Sequence, residues 1–292
     1  TARYFSISEI IKKVTTKNLT FGSSDNIKDN LFGVGLYRFP NKKIETNDNG
    51  NIIYTMFTPY GYCSEVSSVV PINNEWVDYI DAQIKLLNIL PEEVTKKIII
   101  RMKRRHPINS PFKDYFGFQQ KLKKKFPNIK HDDYTKPLQN LIQNSRLIIT
   151  TLDTTTMLET LSLNIPTIIM LDLKKFQITE DAKEYYQRLH DVGIITYTPE
   201  ETQKRILEIF ANISLWWNDK NVQLARENFC LKYAFHPVNQ EKFFIVINAA
   251  CKDKDISWIK KHLPADIKFT ELNNRSLIAV QGAKAEELLA EY

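Results

Sequence analysis

From about residue 51 the chain switches repeatedly between short apolar runs and stretches whose apolar residues recur every three or four positions. That alternation admits few folds. "NIIYTMF" at 51–57, "KIIIRM" at 97–102, "RLIITT" at 146–151 and "TIIML" at 167–171 read as strands. Between them, Trp76, Ile80, Ile84 and Leu87 mark one helix face. "PFKDYFGFQQKLKKKF" reads as a second helix, and Pro137 opens a third that carries Leu138, Leu141 and Ile142. Residues 155–163 make a fourth. Thr198-Pro199-Glu200-Glu201 is a capping box that starts a helix through about Ile213. A last helix carries Trp217, Val222, Ala225, Phe229 and Tyr233. Strands alternating with helices at this spacing build βαβ units and a parallel sheet, so the expected class is α/β, with strands near 52–57, 97–102, 147–151 and 167–171. Residues 1–50 are less regular, with a clear turn at "NDNG", 47–50.

In an open parallel sheet, ligands bind beyond the carboxyl ends of the strands. Three stretches fall there: "TPYGY" (58–62) with Tyr60 and Gly61, "RRHP" (104–107) with His106, and "LDTTT" (152–156). Thr154, Thr155 and Thr156 stand where strand gives way to helix. Free N–H groups and the positive dipole end attract anions at such a turn, and hydroxyls add donors for phosphate oxygens. Glu159, one turn further on, suits a sugar or ribose hydroxyl, and arginines at a neighbouring strand end suit a diphosphate. The same residues also suit plainer roles: a threonine as helix cap, Glu159 complementing the dipole, His106 as a loop residue, and Tyr60-Gly61-Tyr62 as a surface turn.

Composition narrows the setting. The 292 residues are 43% hydrophobic and 25% charged, as in globular proteins with a sizeable core. No apolar run reaches the roughly 18–20 residues of a transmembrane helix, and no signal-peptide pattern is visible, so the expected location is the cytoplasm. Contact with a membrane surface is left open. Cys63, Cys230 and Cys251 lack metal-ligand spacing and read as reduced thiols; no metal is expected. The net charge of +6 gathers partly in "RMKRRH" and "KLKKK". Without interleaved aromatics on a strand or recognition helix, these argue against a nucleic-acid partner.

Three ordered stretches carry a resemblance. They are "GYCSEVSSVVPINNEWVDYIDAQIKLLNILPEEVTKKIIIRM", "PLQNLIQNSRLIITTLDTTTMLETLSLNIPTIIML" and "YYQRLHDVGIITYTPEETQKRIL" followed by "WWNDKNVQLARENFCLKYA". Together, over about residues 51–237, they resemble the bacterial surface-carbohydrate biosynthesis transferases, a family similar to the two-domain GT-B glycosyltransferases. The resemblance implies a Rossmann-like domain that binds a nucleotide-sugar donor, a glycan as acceptor, and no further cofactor. It also implies phosphate contacts from Thr154, Thr155 and Thr156 and a ribose or sugar contact from Glu159. Arg101 matches the family's arginine after the second strand. "MKRRHPINSPF" departs from the family's aromatic-and-proline stretch, so His106 matches less well. Residues 1–50 read as a remnant of an N-terminal region, and the chain as the donor half of such an enzyme, without sugar transfer on its own.

From about Glu241 the character changes. "EKFFIVINAACKDKDISWIKKHLPADIKFTELNNRSLIAVQGAKAEELL" reads as strand, helix, strand, turn, strand, helix and resembles part of the glycine cleavage T-protein, an aminomethyltransferase. Ala283 stands where that family has proline, and Asn248 matches an asparagine near its folate. That family's catalytic aspartate lies upstream of the matched part, where this chain is transferase-like. Residues 241–292 are therefore expected to form a separate small α+β unit. The alternatives to a glycosyltransferase are an aminomethyltransferase fragment and an inactive chimera.

Overall fold

The computed structural model describes residues 18–20, 31–33, 47–57, 75–103, 117–152, 154–171, 178–234, 252–263 and 267–271. Among them, β1 (Asn18–Thr20) and β2 (Leu31–Gly33) form a small parallel pair. Everything that positions the site belongs to a second, six-stranded sheet. Its strands are β3 (Asn51–Phe57), β4 (Ile98–Lys103), β5 (Lys130–His131), β6 (Ser145–Thr150), β7 (Thr167–Met170) and β8 (Ile195–Thr196). They lie in the order β5-β4-β3-β6-β7-β8, and every pairing is parallel. Counted within this sheet the order is 3-2-1-4-5-6, that of a doubly wound Rossmann-like fold. All four expected strands are present within two residues at either end, in one parallel sheet.

The helices are α1 (Glu75–Ile89), α2 (Glu92–Thr95), α3 (Phe118–Lys125), α4 (Leu138–Ile142), α5 (Thr155–Ser162), α6 (Glu180–Asp191), α7 (Pro199–Ile209), α8 (Ile213–Trp217), α9 (Lys220–Tyr233) and α10 (Lys252–His262). Parallel strands are covered on both faces, which explains their near-continuous apolar runs. Side chains alternate across the sheet: Ile52, Tyr54, Met56, Ile98, Ile100, Leu147 and Ile149 enter one cluster. Ile53 and Ile148 enter another with Ile142, Leu163 and Ile165, against which Leu138 and Leu141 pack. Burying each such side chain contributes about 1.5–3 kcal/mol.

Three expectations shift. The helix begun by the capping box ends at Ile209, because Asn212 caps a new short helix through its side-chain oxygen, which accepts from Leu215 N. Trp217 belongs to that short helix, since Asp219 caps α9 separately. The buried face of α1 centres on Tyr79, Gln83, Leu86 and Leu87, with Trp76, Ile80 and Ile84 only partly buried beside it. Tyr79 and Gln83 are polar, but internal partners let them take the deepest positions. Of the C-terminal unit expected at 241–292, the described residues comprise α10, Leu263 and residues 267–271; the last, within "DIKFTEL" where the second strand of that unit is expected, form no strand, and its other expected strands lie outside the described residues. Both clusters of the main core are drawn from residues between Ile52 and Ala234. No helix among the described residues is long and apolar enough to cross a membrane.

Candidate functional site

Chain order runs outward from β3 in one direction (β4, β5) and from β6 in the other (β7, β8). The boundary between β3 and β6 is thus the topological switch point, where diverging connections leave a crevice at the carboxyl edge. Of the segments that follow these strands, residues 151–152 and 154–156 after β6 are described at this edge; residues 58–62, next in sequence after β3, lie outside the described residues.

Thr154 occupies the N-cap of α5 in an extended conformation (φ −135°, ψ 172°). Its carbonyl accepts from Leu158 N at 3.3 Å, but its hydroxyl makes no capping bond. That Oγ1 is buried without a hydrogen-bond partner among the described residues. By contrast the capping hydroxyl of Thr198 does accept, from Glu201 N at 3.2 Å. Thr155 and Thr156 open the first turn of α5; Thr155 is exposed and Thr156 half-buried. Glu159 follows in the second turn at 5% exposure. The first turn holds no acidic residue, so Glu159 stands further in than dipole complementation favours.

Arg101 lies within β4, two residues before its carboxyl end, and its guanidinium is already engaged. Its Nη1 donates to Asp132 Oδ2 at 2.7 Å and to the Lys136 carbonyl at 3.0 Å, and the group stacks over the Tyr134 ring at 5.1 Å. The side chains of Arg101 and Asp132 are 17% and 5% exposed, so this pair is largely withdrawn from solvent. In register, Arg101 stands beside Thr55, and Thr55 beside Thr150. Arg101 is therefore two strands, about 10 Å, from the strand that delivers the threonines. The structure brings Thr154, Thr155, Thr156 and Glu159 together and leaves Arg101 on the flank. Tyr60, Gly61 and His106 lie outside the described residues.

The sequence reading passed over a second set of residues at the switch point. The Tyr79 hydroxyl accepts from Phe57 N at 2.9 Å and meets Thr151 Oγ1 at 2.7 Å. Thr151 Oγ1 donates to Thr55 O at 3.5 Å, and Tyr54 donates to Gln83 Oε1 at 2.5 Å. Gln83 in turn donates to Tyr79 O at 3.0 Å. Burial pushes the Tyr79 and Tyr54 phenols above their ordinary range, so both stay protonated donors. Thr150, wholly buried, keeps an unpartnered Oγ1 on the opposite face. The available signal was the end of "RLIITT": two hydroxyls closing an apolar strand at the ligand-bearing edge.

An open cleft lined by Asp48, Asn212, Ser214, Asp219 and Lys220 lies near the start of β3, away from this crevice. Its polar groups serve as caps: Asp48 Oδ2 accepts from Ser214 Oγ at 2.8 Å, and Asp219 Oδ1 accepts from Asn221 N at 2.8 Å.

Comparison with known proteins gives two results of different reach. Short stretches are similar to aminomethyltransferases of Bacillus subtilis (39% identical over 51 residues), Chloroherpeton thalassium (41% over 59) and Bacillus licheniformis (42% over 48). These cover 17%, 19% and 16% of this chain and only 14%, 16% and 13% of those relatives. No solved structure matches. The family model of the LIC12162 family transferases matches residues 1–245, reaching back through the first fifty residues as well as the sheet. With an α/β sheet of the order described and this match over most of its length, the chain belongs to the LIC12162 family of transferases.

Proposed function

We propose that the transfer is glycosyl transfer, and that residues 51–237 bind a nucleotide-sugar donor in the crevice at the carboxyl ends of β3 and β6. The observation that carries this is Thr154, an N-cap residue whose buried hydroxyl makes no cap and has no partner among the described residues, at the switch point of the sheet. A buried hydroxyl without a partner costs about 1–3 kcal/mol, which a ligand oxygen would recover. In this reading the first-turn N–H groups of α5 and the hydroxyls of Thr154, Thr155 and Thr156 hold the donor's phosphates. As the bond from the anomeric carbon to the phosphate oxygen breaks, negative charge builds on the departing nucleoside diphosphate, where fixed donors stabilise it best. Glu159 accepts from a ribose or sugar hydroxyl. Arg101, held by Asp132, contributes field from the flank. Tyr60, Gly61 and His106, outside the described residues, are proposed as further donor contacts on their sequence positions alone, and a glycan hydroxyl is the acceptor. Residues 241–292 form, in this proposal, an appended aminomethyltransferase-like unit that takes no part in sugar transfer.

The test is titration of the protein with UDP, GDP, ADP and CMP, alone and as their sugars, followed by Thr154→Val, Thr155→Val and Thr156→Val. Valine keeps the shape and removes the hydroxyl. A hydrogen bond to a charged group contributes about 1.5–3 kcal/mol, so each contacting position should lose roughly tenfold or more in affinity. Equal affinity in all four proteins would leave the threonines as turn residues. The aminomethyltransferase alternative rests on the short similar stretches, and tetrahydrofolate-dependent turnover would favour it.

A further inference from the structure

We infer that the Tyr79 hydroxyl is a positioning group that ties together the carboxyl ends of β3 and β6 at the switch point, so that a ligand held at the threonine turn after β6 also steadies the end of β3. The inference rests on the donor-site reading above for its ligand, and on geometry alone for the tie. Tyr79 lies on α1, yet its hydroxyl reaches the last residue of β3 and the first residue after β6. Phe57 N donates to it at 2.9 Å at the end of β3; Thr151 Oγ1 meets it at 2.7 Å, just before the threonine turn. Thr151 Oγ1 also lies 3.5 Å from Thr55 O, so the pair of hydroxyls is held between backbone groups of β3 whichever oxygen donates between them. The chain Phe57–Tyr79–Thr151–Thr55 therefore closes on β3, crossing the β3–β6 boundary through a helix side chain. Tyr79 and Thr151 are 7% and 2% exposed, so water does not readily replace either group. Beyond these residues the strand ladder ends: the β3–β6 pairing is registered only as far as Thr55 and Thr150. The hydroxyl extends the connection by two residues on β3, to Phe57, and by one on β6, to Thr151.

The experiment compares the full chain with Tyr79→Phe, Thr151→Val and Thr151→Ser. As a control, Thr202→Val removes another buried hydroxyl, bonded to Thr196 at 2.7 Å on the far side of the sheet. Amide hydrogen exchange is followed by mass spectrometry. In Tyr79→Phe and Thr151→Val, the peptides that contain Phe57 and Thr151 should both exchange roughly tenfold faster, while 167–171 and 195–209 keep the wild-type rate. Thr151→Ser should behave as wild type, and the Tyr79→Phe/Thr151→Val double variant should add little to either single change. Even acceleration across the sheet, or acceleration of one strand end without the other, overturns the tie, as does the same pattern in Thr202→Val. Nucleoside diphosphate affinity should fall about tenfold in Tyr79→Phe and Thr151→Val but not in Thr151→Ser; unchanged affinity overturns the positioning role. If wild type binds none of the nucleotides, the donor reading fails, and exchange alone decides the tie.

Discussion

Asn164 adopts the left-handed conformation (φ 58°) just past the end of α5. Asparagine tolerates this region better than other residues with a Cβ, and here its side chain is also used. Its Oδ1 accepts from Trp217 Nε1 at 2.9 Å and from Gln223 Nε2 at 3.1 Å, tying the turn before β7 to α8 and α9. Asn164→Gly keeps the backbone conformation and loses these bonds, whereas Asn164→Ala loses the bonds and adds backbone strain of about 1 kcal/mol. Urea denaturation should therefore show both variants destabilised, with alanine the worse by about that amount. In sequence, "LNIP" showed only a helix stop before a strand. The double duty of Asn164 was not legible, because its partners lie 53 and 59 residues away. Thr154 is the complementary case: its position at the strand-to-helix turn was legible, but its unpartnered hydroxyl was visible only in three dimensions.

Among the elements, β5 was the least legible, since two residues make no periodic pattern. It pairs with Ile99 and Ile100 of β4, after which Tyr134 takes over: its hydroxyl donates to Met102 O at 2.9 Å and accepts from Met102 N at 3.1 Å. A side chain thus serves the groups that a longer strand would pair, which protects an otherwise open edge. On this strand both ring nitrogens of His131 are buried without partners. Burial first, and the nearby Lys123 charge second, hold the imidazole below its ordinary value of 6.5. The unfolded chain therefore takes up this proton at higher pH than the folded one. The favourable contribution of neutral His131 is complete above pH 6.5 and is lost as pH falls from there through the folded value. Urea midpoints at about pH 7.5 and 5.5 should fall further in wild type than in His131→Gln; parallel falls would show that the ring does not titrate against burial. Helix α1 teaches the same lesson: its existence was legible from Trp76, Ile80, Ile84 and Leu87, but its deepest face was not. Pattern reading discounts tyrosine and glutamine, while the structure buries Tyr79 and Gln83 by satisfying them.

For the whole molecule, class and parallel sense were legible because strands buried on both faces leave continuous apolar runs, and the βαβ spacing leaves little other choice. The 3-2-1-4-5-6 order was not, since local pattern carries no record of which strand lies beside which. The order has a kinetic consequence. Residues 51–131 supply β3, β4 and β5, residues 145–196 supply β6, β7 and β8, and within each group neighbours in space follow one another in sequence. The groups meet along the β3–β6 seam, whose bond from Thr55 Oγ1 to Ile149 O spans 94 residues. They meet again where α1 packs on α7, through Gln203 to the Ile89 carbonyl and Lys85 to Glu200. Gly50 guards the start of the seam, for a Cβ there would lie 2.4 Å from the Asn144 carbonyl oxygen. Contacts between distant residues carry the largest loop-closure cost and tend to form late. Each group should therefore assemble first on its own short loops, with the seam annealing last. Stopped-flow refolding should then show Thr55→Val changing mainly the unfolding rate and Ile100→Val mainly the folding rate. In such a chain the crevice is the final part of the fold to come into being, so a ligand that bridges it would act on the last step of folding as much as on the finished protein.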